Sequence, residues 1–175
     1  MKTIILLSIL MITGCTGIPE NVTAIQGFEL NRYLGTWYEI ARLDHSFERG
    51  LDNITATYSL REDGGVAVIN KGRSQKTGEW REAEGKAYFV SESNKGKFKV
   101  SFFGPFYGAY NVIALDKIGY SYSMVTGSDR SNLWILSRKP KMPTKNLNLL
   151  IDQAKKLGYD TGQLIYVEQK LAGSK

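Results

Sequence analysis

The chain has 175 residues, a length that fits one domain, and 42% of its residues are hydrophobic, enough for a single core. Its formal charge is +6, but basic and acidic residues are interleaved, without a block of about five like charges. This distribution argues against a nucleic-acid surface, and a single cysteine excludes an intramolecular disulfide.

The N-terminus has the pattern of a bacterial lipoprotein signal. Lys2 precedes an apolar run at 4–12 that is too short to span a bilayer as a helix. The run leads into Ile12-Thr13-Gly14-Cys15, which resembles a lipobox with its acylated cysteine. We predict that 1–14 is a signal peptide and that Cys15 carries acyl chains, which would anchor the chain stably. Thr16, where some lipoproteins have aspartate, favours the outer membrane by resemblance to known sorting behaviour.

The segment between the cysteine and the domain is polar and without a clear period. It contains Gly17 and Pro19, and it predicts a lipidated N-terminus and flexible tether over 15–27. The domain is expected over 28–175. Its first residues, 28–34, form a short apolar turn that could cap one end of the fold.

Short alternating segments then follow one another with turn signals between them, such as Asp63-Gly64 and Gly64-Gly65. This spacing predicts an all-β protein with an eight-stranded antiparallel up-and-down barrel rather than a βαβ fold. The predicted strands are 36–42, 54–60, 66–72, 84–90, 97–103, 109–116, 122–126 and 133–138.

A helix follows the predicted barrel. Thr144 is its expected N-cap, and Gly158 fits the position just after its last turn. Its apolar residues recur at helical spacing on one face, which predicts a helix packed on the outside of the barrel. These residues are Leu147, Leu150, Ile151, Ala154 and Leu157. A last short strand is expected at 165–169.

Alternation along the strands predicts which side chains enter the barrel. The expected inward residues are Trp37, Glu39, Ala41, Phe98, Val100, Phe102, Trp134, Leu136 and Arg138. A carboxylate at Glu39 is costly inside an apolar barrel unless it is paired. Glu39 is therefore either bonded to a tyrosine, a backbone amide or an arginine, or a polar anchor for a ligand, or turned outward by a bulge.

The topology also sorts the loops. With Trp37 at the closed end, the open end carries the loops at 43–53, 73–83, 104–108 and 127–132. Aromatic residues cluster at this end, where they form either a packed turn or a collar around a ligand portal. They are Phe102, Phe103, Phe106, Tyr107, Tyr110 and Trp134. The hydroxyl of Tyr107 and the N–H of Trp134 could bond a polar headgroup.

Three segments together resemble the three conserved regions of the lipocalins: Gly35-Thr36-Trp37-Tyr38-Glu39, Tyr110-Asn111-Val112-Ile113-Ala114-Leu115-Asp116 and Leu133-Trp134-Ile135-Leu136-Ser137-Arg138. The wider match, roughly 28–169, resembles bacterial outer-membrane lipoprotein lipocalins and includes Val100-Ser101-Phe102-Phe103-Gly104-Pro105-Phe106-Tyr107-Gly108. The resemblance implies that the arginine packs across the tryptophan. Gly35, Trp37 and Arg138 are then structural residues.

The resemblance also implies a non-catalytic protein that binds a fatty acid or a lysophospholipid, for lipid storage or transport at the outer membrane, with its domain facing the periplasm. The candidate ligand-binding residues are Glu39, Phe98, Val100, Phe102, Tyr107, Tyr110 and Trp134. No cofactor, metal or nucleic acid is expected, and His45 is expected to brace a loop. An apolar mouth could also pair two copies as a homodimer.

Two other functions stay open at this point. One is a structural or stress-related envelope lipoprotein whose barrel is filled with large side chains. The other is a lipid-modifying enzyme that uses Glu39 as acid or base. The thiol chemistry of some lipocalin enzymes is not available here, since no cysteine follows Cys15.

Overall fold

The computed structural model describes residues 16–170, so the predicted signal peptide and Cys15 lie outside the described residues. A short helix precedes eight strands, and a longer helix and a two-residue strand follow them. The elements are α1 (Leu30–Tyr33), β1 (Gly35–Arg42), β2 (Leu51–Leu60), β3 (Val66–Ser74), β4 (Trp80–Phe89), β5 (Lys97–Phe103), β6 (Phe106–Leu115), β7 (Tyr122–Thr126), β8 (Leu133–Ser137), α2 (Thr144–Lys156) and β9 (Ile165–Tyr166).

Strands β1 to β8 form a closed antiparallel barrel in sequence order. Closure occurs at β1, which pairs with β2 through Gly35 and Tyr58 and with β8 through Tyr38 and Ser137. The short β9 adds to the outer end of β1, where Ala41 pairs with Tyr166. The predicted eight-stranded up-and-down barrel is confirmed.

Five strands are longer than predicted: β1 by Gly35 at the closed end, and four others by extensions at the open end. β2 begins at Leu51 instead of 54, and β4 begins at Trp80 instead of 84. The first five residues of β4 are all exposed, so no alternation marks them in the sequence. Their backbone still continues the ladder with β3, where Arg73 pairs with Trp80. β3 and β6 are extended in the same way.

The closed end is packed with aromatic side chains, as the apolar turn at 28–34 predicts. Phe28, Tyr33 and Trp37 are buried there, and the indole Nε1 of Trp37 donates to the Tyr33 carbonyl at 2.8 Å. Gly35 has a φ of +92°, a backbone conformation that other residues adopt only with strain. The glycine therefore allows the chain to turn from α1 into β1.

Helix α2 covers the outside of the barrel with the predicted face. Leu150 and Ala154 are fully buried against a cluster that includes Leu133 and Ile135 of β8. The predicted N-cap is wrong by one residue, because the Pro143 carbonyl already accepts bonds from the amides of the first turn. Gly158 ends the helix with a φ of +85°, as predicted.

The chain before α1 is packed on the barrel instead of being a flexible tether. Val22 is only 4% exposed and belongs to the hydrophobic cluster under α2. Ile25 donates its amide to the Val112 carbonyl at 2.9 Å and accepts a bond from the Gly96 amide at 3.0 Å. The predicted flexibility of 16–27 is therefore wrong, because apolar residues within this polar stretch have partners on the barrel. We call residues 17–28 the N-terminal strap.

The strap begins beside a loop of the open end. The side-chain amide of Asn111 donates to the Gly17 carbonyl at 3.0 Å and to the Gly127 carbonyl at 3.1 Å. Arg130, in the loop after β7, also donates to the Glu20 carbonyl. The first described residues are thus held next to the 127–132 loop.

Candidate ligand-binding site

A cavity of about 650 Å³ occupies the barrel and opens at its predicted mouth. This volume lies within the range of about 300–1,000 Å³ that small-molecule sites in proteins occupy. The space exists because small residues face it on several strands. They include Ala56 on β2, Ala83 and Ala87 on β4, and Gly108 on β6.

The predicted inward face of β5 lines this cavity, and so does that of β8 apart from Arg138. Phe98, Val100 and Phe102 lie on its wall, as do Trp134 and Leu136 of β8. Val100 pairs with Ala87 on one neighbouring strand and with Gly108 on the other, and these small residues leave space for a ligand beside it. An apolar wall of this kind favours acyl chains or other hydrophobic molecules.

Tyr107 borders the cavity, but its ring lies on the outer face of the barrel. Its ring centroid is 6.4 Å from that of Tyr88, and the Lys99 amine lies 5.0 Å from it. Neighbouring Gly108 and Tyr110 occupy the inner positions of β6. The sequence-based expectation that the Tyr107 hydroxyl contacts a ligand inside the mouth is therefore wrong, because this ring faces outward.

Exposed phenylalanines form the rim of the mouth. Phe103 is 81% exposed, and Phe47 and Phe106 are each 64% exposed, although all three border the cavity. Phe103 and Phe106 flank the turn between β5 and β6, where Phe103 pairs with Phe106. The predicted aromatic collar is thus open to solvent on one side, as a portal requires, and is not a packed turn.

A β-bulge in β1 decides which of its side chains enter the barrel. Glu39 pairs with Leu136 and Ala41 with Ile135, so β1 has an extra residue relative to β8. Glu39 stays inside and lines the cavity. Ala41 packs instead in the outer cluster under α2, which corrects its predicted inward position. Arg42 takes the inner face, where it pairs with Trp134.

Arg42 is buried between two carboxylates. It is 2% exposed, and its Nη1 donates to Oε1 of Glu39 at 3.0 Å. Its Nη2 donates to the Glu48 carbonyl at 2.9 Å, and its Nε lies 3.8 Å from Oε2 of Glu48. Glu39 is therefore paired with an arginine, one of the alternatives that the sequence left open.

Glu48 joins this group to the mouth. Its Oε2 accepts a bond from Nε1 of Trp134 at 3.2 Å and lies 2.9 Å from Nε2 of His45. The His45 ring in turn stacks on Phe47, with ring centroids 4.9 Å apart. His45 thus braces the 43–50 loop, and the indole N–H of Trp134, predicted to face a headgroup, is bonded to protein.

Burial controls the protonation of this group. Desolvation, with a further contribution from nearby Glu48, raises the pKa of Glu39 well above its ordinary value. Burial also raises the pKa of Glu48. Burial and the adjacent Arg42 lower the pKa of His45 to about 4, so its ring is neutral at pH 7. A neutral ring can donate its Nε2 proton to Glu48.

Hydroxyl groups form a chain at the deep end of the cavity. The Tyr110 hydroxyl lies 2.8 Å from that of Tyr33 and 2.8 Å from that of Tyr58. The Tyr33 hydroxyl also lies 3.2 Å from Oγ of Ser123. Burial raises the pKa of Tyr33 to about 12 and raises the pKa values of Tyr58 and Tyr110 well above 10, so these hydroxyls keep their protons.

The three residues expected to be structural meet at the closed end. The guanidinium of Arg138 lies 4.0 Å from the ring centroid of Trp37, a cation–π geometry. The same side chain donates to the carbonyls of Arg32, Thr36 and Tyr120. A Cβ at Gly35 would lie 3.4 Å from its Nη1. These contacts are outside the cavity.

Sequence reasoning missed several polar residues of the site. Arg42 was missed because the bulge that turns it inward leaves no mark in the alternating pattern. Glu48 lies in a long polar loop, where most carboxylates are solvated. The sequence predicts Tyr33 only as part of a turn and Tyr58 only as part of a strand. The one signal in the sequence for this ion pair is that Arg42 follows the predicted buried Glu39 by three residues.

The family model for a lipocalin-like domain matches residues 28–169. The chain belongs to the lipocalins. It is 55% identical to an outer membrane lipoprotein Blc of Vibrio cholerae over 95% of this chain and 97% of that protein. It is 53% identical to the Escherichia coli K12 protein of the same name, over 86% of this chain and 85% of that one.

More distant proteins are similar in sequence or in fold. Bovine apolipoprotein D is 38% identical over 73% of the chain and 69% of its own length. Insecticyanin from the tobacco hornworm superposes with a TM-score of 0.69 at 21% identity, over 90% of this chain and 88% of that one. Its relationship to this lipocalin rests on the fold alone.

Membership of this family places the chain among hydrophobic-ligand-binding proteins and not among enzymes. The open hypothesis that Glu39 performs catalysis is therefore set aside. Within residues 16–170, none of this lipocalin's helices is long and apolar enough to cross a membrane. The same residues contain no cluster of histidine, cysteine and carboxylate side chains suited to a metal ion.

Proposed function

We propose that this lipocalin stores or transports a fatty acid or a lysophospholipid, held in the barrel with its acyl chain against the apolar wall. The observation that carries the proposal is the cavity of about 650 Å³, lined by Phe98, Val100 and Leu136 and open at the mouth. Burial of an acyl chain contributes about 0.8 kcal/mol per methylene, which is enough for micromolar binding before the costs of association.

The mouth suits the polar end of such a lipid. Glu39 and Glu48 supply polar groups to the wall and Trp134 lines it beside them, while Phe102 and the exposed Phe103 and Phe106 can contact the first methylenes. The 43–50 loop, which carries Phe47, is the part of the rim that could close over a bound lipid. Tyr110, Phe98 and Val100 would contact the chain further inside.

We further propose that the protein is an outer-membrane lipoprotein with its domain facing the periplasm. The support is the lipobox-like sequence at 12–15 and the similarity to the Vibrio cholerae and Escherichia coli relatives, which are named as outer membrane lipoproteins. Signal peptide cleavage before Cys15, acylation of Cys15 and the domain boundary at residue 28 belong to the same proposal.

Native mass spectrometry of the chain from residue 16 onward, purified from a lipid-containing host, tests the lipid proposal. This piece contains every described contact. We expect an acyl lipid at close to one per barrel. A Val100→Trp variant fills the space beside Gly108 and should be empty, whereas Lys99→Trp, on the outer face of the same strand, should still carry lipid.

An empty wild-type barrel that stays empty after incubation with fatty acids and lysophospholipids would overturn the lipid proposal. It would favour the alternative of a structural envelope lipoprotein. The same spectra report the number of chains per complex. A mouth-to-mouth homodimer, which the exposed Phe47, Phe103 and Phe106 would support, should appear as a two-chain complex and dissociate in Phe103→Ser.

The anchor is tested separately in cells. Labelled palmitate should enter the full chain and be absent from a Cys15→Ser variant, which should also leave the outer-membrane fraction. Thr16→Ser is the matched control and should keep both label and location. Label in Cys15→Ser would contradict acylation at this residue.

A further inference from the structure

The hydroxyl chain at the deep end of the cavity has one hydrogen without an acceptor. Four hydroxyl groups, those of Ser123, Tyr33, Tyr110 and Tyr58, make three contacts in a row. Each hydroxyl carries one hydrogen, so three contacts use three of the four. The fourth hydrogen can belong to any of the four hydroxyls, according to which way each contact is donated, and Ser123 and Tyr58 are the two that have only one neighbour in the row.

The surroundings of the two ends favour Tyr58 as the free donor. Ser123 is fully buried in β7, away from the cavity wall, and a hydrogen left there would be without an acceptor, which is costly. Tyr58 lines the cavity, so an acceptor on a bound molecule can reach its hydroxyl. If Tyr58 is the free donor, each other hydroxyl donates to the next member toward Tyr58, from Ser123 through Tyr33 and Tyr110.

A side-chain amide oxygen without a partner lies on the same face of the cavity wall as Tyr58. Asn70 faces the cavity from β3, and its Oδ1 is buried without a hydrogen-bond partner among residues 16–170. Tyr58 pairs with Val68 and Ala56 pairs with Asn70, so Tyr58 and Asn70 are diagonal neighbours on the same face. The Cα atoms of such diagonal neighbours are about 7–8 Å apart across the two strands, which lets one small group lie between their side chains.

We propose that Tyr58 and Asn70 form a subsite deep in the cavity for a neutral ligand group that both accepts and donates a hydrogen bond. The proposal deepens the proposed function and rests on it, since it specifies the lipid that the same cavity holds. The group is neutral because both partners are neutral, and a buried charge without a counter-charge is strongly disfavoured. A hydroxyl and a protonated carboxyl both have this chemistry.

Two kinds of lipid could supply the group. In one, the headgroup stays at the mouth and a hydroxyl near the far end of the acyl chain reaches Tyr58 and Asn70. In the other, a fatty acid enters with its carboxyl first and binds there in its protonated form. Both orientations use Tyr58 as donor and Asn70 as acceptor. They differ in which end of the lipid carries the hydroxyl or carboxyl group that lies deep in the cavity.

Three probes separate these cases by fluorescence competition with the chain from residue 16 onward. They are hexadecanoic acid, 16-hydroxyhexadecanoic acid and methyl hexadecanoate, which cannot donate a hydrogen bond. For each protein, the readout is the dissociation constant of one probe divided by that of another. Comparing this ratio between wild type and variant removes the effect of differences in probe hydrophobicity. Tyr58→Phe and Asn70→Leu remove the donor and the amide independently, so a failure to fold in one leaves the other as the test.

A chain-borne hydroxyl predicts that the ratio of hexadecanoic acid to 16-hydroxyhexadecanoic acid falls about fivefold to tenfold in each variant, as expected for one lost hydrogen bond. Carboxyl-first binding predicts the same fall in the ratio of methyl hexadecanoate to hexadecanoic acid in Asn70→Leu, which removes the acceptor that only the acid uses. Tyr58→Phe should leave this ratio unchanged, because the carbonyl of either probe can accept from Tyr58. Thr57→Val, which removes a hydroxyl from the outer face of β2, is the matched control and should leave both ratios unchanged.

The outcomes distinguish this subsite from the proposed function. If hexadecanoic acid binds and neither ratio changes in Tyr58→Phe or Asn70→Leu, the subsite is wrong and the lipid proposal stands. If none of the three probes binds wild type, the lipid proposal fails and the subsite fails with it. A change in either ratio that Thr57→Val does not reproduce supports the subsite.

Discussion

His45 is the only histidine of the chain, and its pKa of about 4 is a direct report on the polar group at the mouth. The folded protein holds the ring of His45 neutral. The stability that the buried neutral ring contributes is therefore fully present above pH 6.5, the pKa of histidine in the unfolded chain. This contribution is lost as the pH falls from 6.5 through about 4. We expect the single histidine resonance in a proton NMR titration to move near pH 4 in the folded protein.

The same resonance in urea is the control, and it should titrate near the ordinary value of 6.5. A folded-state midpoint at or above 6.5 would show that the ring is not buried beside Arg42. In His45→Gln, the midpoint of urea unfolding should depend less on pH between 6.5 and 4 than in wild type.

Arg138 acts at the other end of the barrel, where it crosses Trp37 and donates to three carbonyls. Replacing it in Arg138→Met removes the cation–π contact and leaves carbonyls of the closed end without a donor. We expect the free energy of unfolding to fall by about 2–4 kcal/mol, measured by urea denaturation.

Lys141→Met, which removes an exposed cation just beyond β8, is the control and should change stability little. Lipid affinity should be unchanged in folded Arg138→Met, because the side chain does not line the cavity. A selective loss of affinity with stability intact would contradict its structural role.

Single residues also show where sequence reasoning stops. Gly35, Trp37 and Arg138 could be placed at the closed end, because a family resemblance and strand direction locate them. Phe98 and Val100 could be placed on the wall by alternation alone. Arg42 could not, since a one-residue bulge reverses the faces of β1 beyond Glu39 and depends on the pairing with β8.

At the scale of elements, the N-terminal strap is the largest departure from the sequence-based expectation. Its apolar residues are too few and too irregular to predict a strand, yet its backbone pairs with the barrel at Ile25 and Gly96. We expect the amides of Ile25 and Gly96 to exchange slowly with deuterated water, as those of an ordinary strand do. A flexible tether would exchange at the rate of an unfolded peptide.

Val22→Ser is the variant that tests what holds the strap. It places a hydroxyl in the apolar cluster under α2 and should accelerate exchange at Ile25 while leaving Val125 of β7 protected. The exposed Thr23→Ser is its matched control. Equal protection of Ile25 in Val22→Ser and wild type would show that this side chain does not hold the segment.

At the scale of the whole molecule, a bound lipid should stabilise the fold by mass action. At a free concentration of 100 times its dissociation constant, it adds about 2.7 kcal/mol, which corresponds to a rise of about 5–10 °C in Tm. Differential scanning fluorimetry with dodecanoic acid should show this rise in wild type and in Lys99→Trp. Val100→Trp should show none, and an equal rise there would place the lipid outside the cavity.

The length of chain left for an anchor follows from the contact between Gly17 and Asn111. A free segment of twelve residues could extend about 40 Å, but the two links from residue 15 to residue 17 reach only about 7 Å. With acyl chains on Cys15, the barrel would therefore sit directly on the bilayer surface and could not rotate freely above it. If the barrel exchanges lipid as proposed, the exchange would then take place within a few ångströms of the headgroups.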